Sequence, residues 1–174
     1  MPRALVVYES VFGDTERIAR AVADGIAGRL PVDVVDAGQA PTELADVQLL
    51  VVGGPTHAFG MPSEATRKGA VEQYGAEIAD PSAGLHEWLD AVRLPPHTDA
   101  AAFDTRMDHP KLITKLDHAA RTEEKLLRGL GATLVAPAER FIVLDAKGPL
   151  KDGEEDRARQ WGQALGELVT AAGP

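Results

Sequence analysis

The residues able to do chemistry in this chain gather in three short stretches. Ser10-Val11-Phe12-Gly13-Asp14-Thr15 joins two hydroxyls, a glycine and a carboxylate. Gly53-Gly54-Pro55-Thr56-His57-Ala58-Phe59-Gly60-Met61-Pro62 offers open backbone groups, an imidazole and a phenyl ring. Asp104-Thr105-Arg106-Met107-Asp108-His109 adds a hydroxyl, a cation and a thioether. A helix that begins within the first stretch leaves its leading N–H groups without partners and aims them outward. Its dipole adds partial positive charge there. A phosphate is held at such a point without any Lys or Arg. Ser10 and Thr15 can donate hydrogen bonds to it, and Gly13 lets the backbone come close. The plainer reading, a tight turn with Asp14 or Thr15 as the N-cap, is equally open. The other two stretches bring flat and apolar side chains, so the three together suit a phosphorylated planar heterocycle. Taken singly, each has a structural reading: Gly53-Gly54-Pro55 as a turn, His57 as a surface histidine, Phe59 as core and Arg106 as a surface ion-pair partner.

The elements that must position these stretches follow from the hydrophobic pattern. Ala4 to Tyr8 is continuously apolar, as a strand covered on both faces should be. A helix over about 14–27 follows, with Ile18, Ala19, Val22 and Ile26 on one face. Strands are expected at Val32 to Asp36 and at Val47 to Val52, the latter closed by Gly53-Gly54-Pro55. A helical turn or two is expected over Ser63 to Gly69, a long loop over Tyr74 to Gly84 and a short helix over Leu85 to Val92. The fourth strand reads as Ala100 to Phe103 and the next helix as Lys111 to Leu130, with Gly131 at its end. Ala132 to Val135 and Arg140 to Leu144 make a fifth strand interrupted at Pro137. An acid pair, Glu154-Glu155, precedes a last helix with an expected buried stripe of Ala158, Trp161, Leu165, Leu168, Val169 and Ala172. Strands alternating with helices imply an α/β domain over residues 1–174, a doubly wound parallel sheet with helices on both faces. Ligands of such sheets sit beyond the carboxyl ends of the strands, where the three stretches fall.

Composition narrows the function. The chain has no cysteine, which excludes disulfides, thiolate metal sites and cysteine nucleophiles. No metal site and no catalytic residue is expected. The formal net charge of -9 argues against nucleic acid and anionic membrane as partners and suits basic protein surfaces. No stretch is long and apolar enough to span a bilayer, and no signal peptide is expected ahead of the first strand, so a cytoplasmic location is expected.

On Val6-Val7-Tyr8-Glu9-Ser10-Val11-Phe12-Gly13-Asp14-Thr15, Val51-Val52-Gly53-Gly54-Pro55-Thr56-His57, Phe103-Asp104-Thr105-Arg106 and the closing Gly148-Pro149-Leu150, the chain resembles the flavodoxin-like family, and within it small bacterial members. The resemblance spans essentially the whole chain. It implies five parallel strands in the order 2-1-3-4-5 and FMN as cofactor. By position, the loop Ser10 to Thr15 would wrap the FMN phosphate. Pro55, Thr56, His57 and Gly60 would line one side of the isoalloxazine, with Phe59 as a stacking ring. Asp104, Thr105 and Arg106 would stand near the other side. Two residues depart from the family pattern: Phe12 stands where a hydroxyl is usual, and Asp14 precedes Thr15. The stacking Trp and Tyr of typical flavodoxins are also missing. The function implied is an FMN electron carrier that meets redox partners with basic surfaces. Alternatives are an FMN-dependent NAD(P)H:quinone-type reductase, and a flavodoxin-fold interaction or regulatory protein that binds flavin weakly or not at all.

Overall fold

The central strand β1 (Arg3–Tyr8) is flanked on one side by β2 (Val32–Asp36) and on the other by β3 (Val47–Pro55), all parallel. The computed structural model describes residues 1–56, 61–108 and 119–172. Beyond β3 comes β4 (Asp99–Met107), and on its far side β5 (Thr133–Leu134) and β6 (Glu139–Val143). The order β2-β1-β3-β4-β5 is the expected one. Both β5 and β6 pair with β4, β5 at Asp99 and Ala100 and β6 from Phe103 to Met107. They are two pieces of a single edge strand parted around Pro137, which has no N–H to give to a ladder.

Helices cover both faces. Ala4, Val6 and Tyr8 point to one face and pack with α1 (Asp14–Ile26) and α5 (Glu154–Ala171). Leu5 and Val7 point to the other and pack with α3 (Leu85–Ala91) and α4 (Ala119–Gly129). This two-sided burial is why β1 and β3 read as unbroken apolar runs. The helices α1 and α5 meet backbone to backbone. A Cβ at Gly25 would lie 2.1 Å from the Arg159 carbonyl oxygen, and one at Gly162 would lie 2.1 Å from that of Val22. The buried face of α5 therefore runs through Ala158, Gly162, Leu165, Gly166 and Val169. Leu168 and Ala172, expected in that stripe, are exposed, because glycines hold the centre of the contact.

Four other expectations change. Gly53-Gly54-Pro55 is not a turn, and Asp104-Thr105-Arg106 is not a loop. They pair in register, Gly53 with Phe103, Gly54 with Asp104 and Pro55 with Thr105, so both strands run on past their apolar cores. A Cβ at Gly53 would stand 2.0 Å from the Phe103 ring, so the glycine is there to admit the ring rather than to bend the chain. The helical turns expected from Ser63 form a longer helix, α2 (Glu64–Tyr74), opened by a reciprocal Ser63–Thr66 capping box and closed by Gly75 at φ 65°. The acid pair ahead of the last helix is no capping box. The cap is Gly153, and Glu154 instead accepts from the Ile142 N–H at 2.7 Å and pairs with Arg157 at 2.8 Å. Of the helix expected over Lys111 to Leu130, residues 111–118 lie outside the described residues.

Candidate functional site

The loop after β1 is shaped by one glycine and one hydroxyl. Gly13, at φ 97°, is the N-cap of α1 and supplies no side-chain hydrogen bond. Its N–H donates to Ser10 Oγ at 3.1 Å, which folds the loop on itself. The first helical bond runs from Arg17 N–H to the Gly13 carbonyl at 3.1 Å. The N–H groups of Asp14, Thr15 and Glu16 precede it and have no acceptor inside the helix. Neither Asp14 nor Thr15 caps the helix, so the plain N-cap reading gives way to an open N-terminus. The Thr15 hydroxyl, 2% exposed, lies 2.6 Å from that of Thr105 on β4. The Asp14 carboxylate packs against Gly148, where a Cβ would come within 2.3 Å of it. Burial raises the Asp14 pKa above its ordinary value, with Arg17 pulling the other way.

This N-terminus opens on a cavity of about 580 Å³. Val11, Phe12, Asp14 and Thr15 line it from the loop, Pro55 and Thr56 from the end of β3, and Thr105, Arg106 and Met107 from the end of β4. Ser10 and Gly13 shape the loop without lining the cavity. Asp104 lies beneath it, 1% exposed, and accepts from Thr56 Oγ1 at 3.3 Å. His57, Phe59 and Gly60 lie outside the described residues. One wall escaped the sequence reading altogether. It is one face of α2: Ala65, Thr66, Gly69, Ala70, Gln73 and Tyr74. Its only sequence signal is Ser63 three residues ahead of Thr66, since small and polar residues blur its helical periodicity. Phe12 meets Tyr74 edge to face at 6.2 Å between ring centres, and the Lys147 ammonium stands 6.0 Å from the Tyr74 ring centre.

The α2 wall is tied down by a buried ionic clamp. Arg67, 1% exposed, donates to both oxygens of Glu9 at 2.8 and 3.0 Å and to both oxygens of Glu87 at 2.9 Å. It also reaches the carbonyls of Pro62 at 3.2 Å and Pro81 at 3.0 Å. Glu9 accepts a further bond from Leu85 N–H at 2.8 Å, at the start of α3. A Cβ at Gly84 would strike the Arg67 guanidinium at 2.0 Å, so the clamp requires glycine there. Burial alone would lower the Arg67 pKa, but the bonds to Glu87 and Glu9 outweigh it and raise it. A second buried acid, Glu123 on α4, is 0% exposed, and neither of its oxygens has a hydrogen-bond partner among the described residues. It stands 3.5 Å from where a Cβ of Gly54 would be. Burial holds its pKa well above the usual carboxylate range, with Asp104, Glu9 and Glu124 adding to the effect.

The open helix end and the cavity lie at the carboxyl ends of β1 and β3, where the strand order reverses. Comparison with solved structures settles the architecture. A flavodoxin from the domain Archaea superposes with a TM-score of 0.67 at 20% identity, over 97% of this chain and 99% of its own. The fold is that of the flavodoxins. The Streptococcus pneumoniae TIGR4 flavodoxin shares it with a TM-score of 0.62 at 16% identity, over 97% of this chain and 98% of its own. So does a flavodoxin, WrbA-like protein from Agrobacterium tumefaciens, at 0.61 and 16%, over 98% and 99%. Neither a family sequence model nor a curated protein sequence matches the chain. Among the described residues, no helix of this flavodoxin fold is long and apolar enough to cross a membrane.

Proposed function

We propose that this chain is a flavin-binding redox protein, an electron carrier with FMN in the 580 Å³ cavity and the phosphate on the loop Ser10 to Thr15. The observation that carries the reading is the uncapped N-terminus of α1 opening into that cavity at the switch point of the sheet. The donor set suits a phosphate: the leading N–H groups of α1 and the Thr15 hydroxyl, with Ser10 fixing the loop through the Gly13 N–H and the Asp14 carboxylate packed against Gly148. Pro55, Thr56, Thr105 and Arg106 would flank the ring, with His57, Phe59 and Gly60 assigned by resemblance and Asp104 acting through Thr56. FMN supplies one- and two-electron transfer when bound. The chain's part is to bind and orient it, to exclude water with the apolar walls, and to bias its charge through nearby acids. A net charge of -9 favours basic redox partners.

A second reading, an FMN-dependent NAD(P)H:quinone-type reductase, draws on the Arg106 side chain in the cavity lining, a cation placed to polarise an oxygen or hold a second phosphate. Oxidation of NAD(P)H with a quinone acceptor by the flavin-loaded protein would select it. The test of flavin binding is the visible absorption spectrum after incubation with FMN and desalting. Co-eluting flavin bands are the expected result. Thr15→Ala should weaken FMN binding by about 1.5–3 kcal/mol, the size of a hydrogen bond to a charged group, and Ser10→Ala should weaken it by loosening the loop that Gly13 N–H closes onto Ser10. Absence of retained flavin would refute the proposal in favour of an interaction protein.

A further inference from the structure

Away from the helix end the cavity reaches the α2 wall, where Tyr74 meets Phe12 edge to face. Phe12 occupies the middle of the loop, where it gives the phosphate no hydroxyl, and Asp14 adds a carboxylate nearby. A pyrophosphate diester carries a single charge on each phosphorus and suits the same helix end. Beside the loop stand the Phe12–Tyr74 edge-to-face pair and the Lys147 ammonium. Tyr74 is 44% exposed, so this pair is no part of the core. Gln73, next to Tyr74, lines the cavity with an amide that offers a donor and an acceptor together, the pairing an adenine edge takes. At Gly69 a Cβ would meet nothing within 4 Å, so the space in front of α2 is open.

We propose that this corner is a second flat-ring subsite, for the adenine of FAD, so that the cavity takes the dinucleotide flavin as well as FMN and holds it more tightly. The inference rests on the flavin-binding reading above. The flavin ring keeps the strand-end side of the cavity, the pyrophosphate spans the N-terminus of α1 toward Lys147, and the adenine lies on the α2 wall against Phe12 and Tyr74.

The test compares dissociation constants of FMN and FAD, read from quenching of flavin fluorescence, for the full chain and for Gly69→Leu and Tyr74→Ala. Gly69→Leu fills open space on a helix and replaces a poor helix former with a good one, so the protein should fold. The native chain should bind FAD about tenfold more tightly than FMN, the size of one aromatic contact. Gly69→Leu should abolish that preference by lowering FAD affinity about tenfold more than FMN affinity. Tyr74→Ala should lower FAD affinity selectively. FMN bound as tightly as FAD by the native chain would overturn the subsite alone, as would a preference that survives both substitutions. Loss of FMN binding in Gly69→Leu would overturn it too, by placing the flavin ring on the α2 wall. Failure of the native chain to bind either flavin would overturn the flavin-binding reading and the subsite with it.

Discussion

Glu123→Gln should free the fold from a pH dependence that the native chain carries. The side chain is 0% exposed and its oxygens accept and donate nothing among the described residues. The surrounding charges on the cavity side are also acids, Asp104 and Glu9, with Glu124 one position along α4. Folding therefore favours the neutral acid, whereas the unfolded chain releases the proton above its ordinary value of 4.5. The sign follows from this. With the folded pKa raised, the stabilising contribution is fully present below about pH 4.5 and is lost as pH rises toward the folded value. The slope of that loss is at most about 1.4 kcal/mol per pH unit, to be read between about pH 5 and about pH 7, where the unfolded side chain is ionised. Glutamine keeps the shape and does not titrate. Urea unfolding of both proteins across that range is the assay. The other carboxylates are common to both and cancel in the difference. The Gln variant should gain steadily on the native chain as pH rises. A difference that stays constant with pH would refute the reasoning, because Glu123 would then ionise alike in the folded and unfolded chains.

Arg67→Met should cost about 3–5 kcal/mol in urea unfolding by leaving Glu9 buried and unpaired. Adding Glu9→Gln should recover part of that loss, and purely additive costs would disprove the coupling. Gly162→Ala drives a methyl group into the Val22 carbonyl, so it should cost about 1–3 kcal/mol and lower Tm, the range seen for overpacked interiors. A neutral result would show that the α1–α5 contact yields freely. Asp14→Asn should tighten FMN binding, and most at pH values above the raised Asp14 pKa, where the native side chain is charged. Native affinity should correspondingly improve on acidification toward that pKa. Titrations that coincide for the two proteins at every pH would mean the carboxylate does not sense the phosphate.

Much of the architecture was legible because local pattern and tertiary role agree. The apolar run at Ala4 to Tyr8 and the three- and four-residue spacing of Ile18, Val22 and Ile26 state their own geometry, and β2 falls at its expected bounds. Legibility failed where a residue's role is set by a distant neighbour. Gly53 reads locally as a breaker, yet it is a strand residue because the ring of Phe103, 50 positions away, fills the place of its side chain. Asp104, Thr105 and Arg106 read as a polar loop, yet they are buried at the tip of β4, where sheet pairing continues after the hydrophobic pattern stops. Leu168 reads as core but yields its place to glycines. Of the cavity, the loop side was visible as a motif. The α2 wall was not, since its placement depends on Arg67 finding Glu9, 58 residues earlier.

That pairing also bears on how the molecule breathes. The guanidinium of Arg67 holds the end of β1, the entry to α2, the segment around Pro81 and the first turn of α3 at a single point. Segments joined in this way cannot open one at a time without stranding a buried charge. Their slowest amides should therefore exchange with solvent as one cooperative block rather than in a graded series. The wall of the cavity then inherits the lifetime of the central strand, although α2 has little apolar surface of its own to hold it in place. A ligand would meet a surface already set before it arrives, with little ordering of α2 left to offset its affinity.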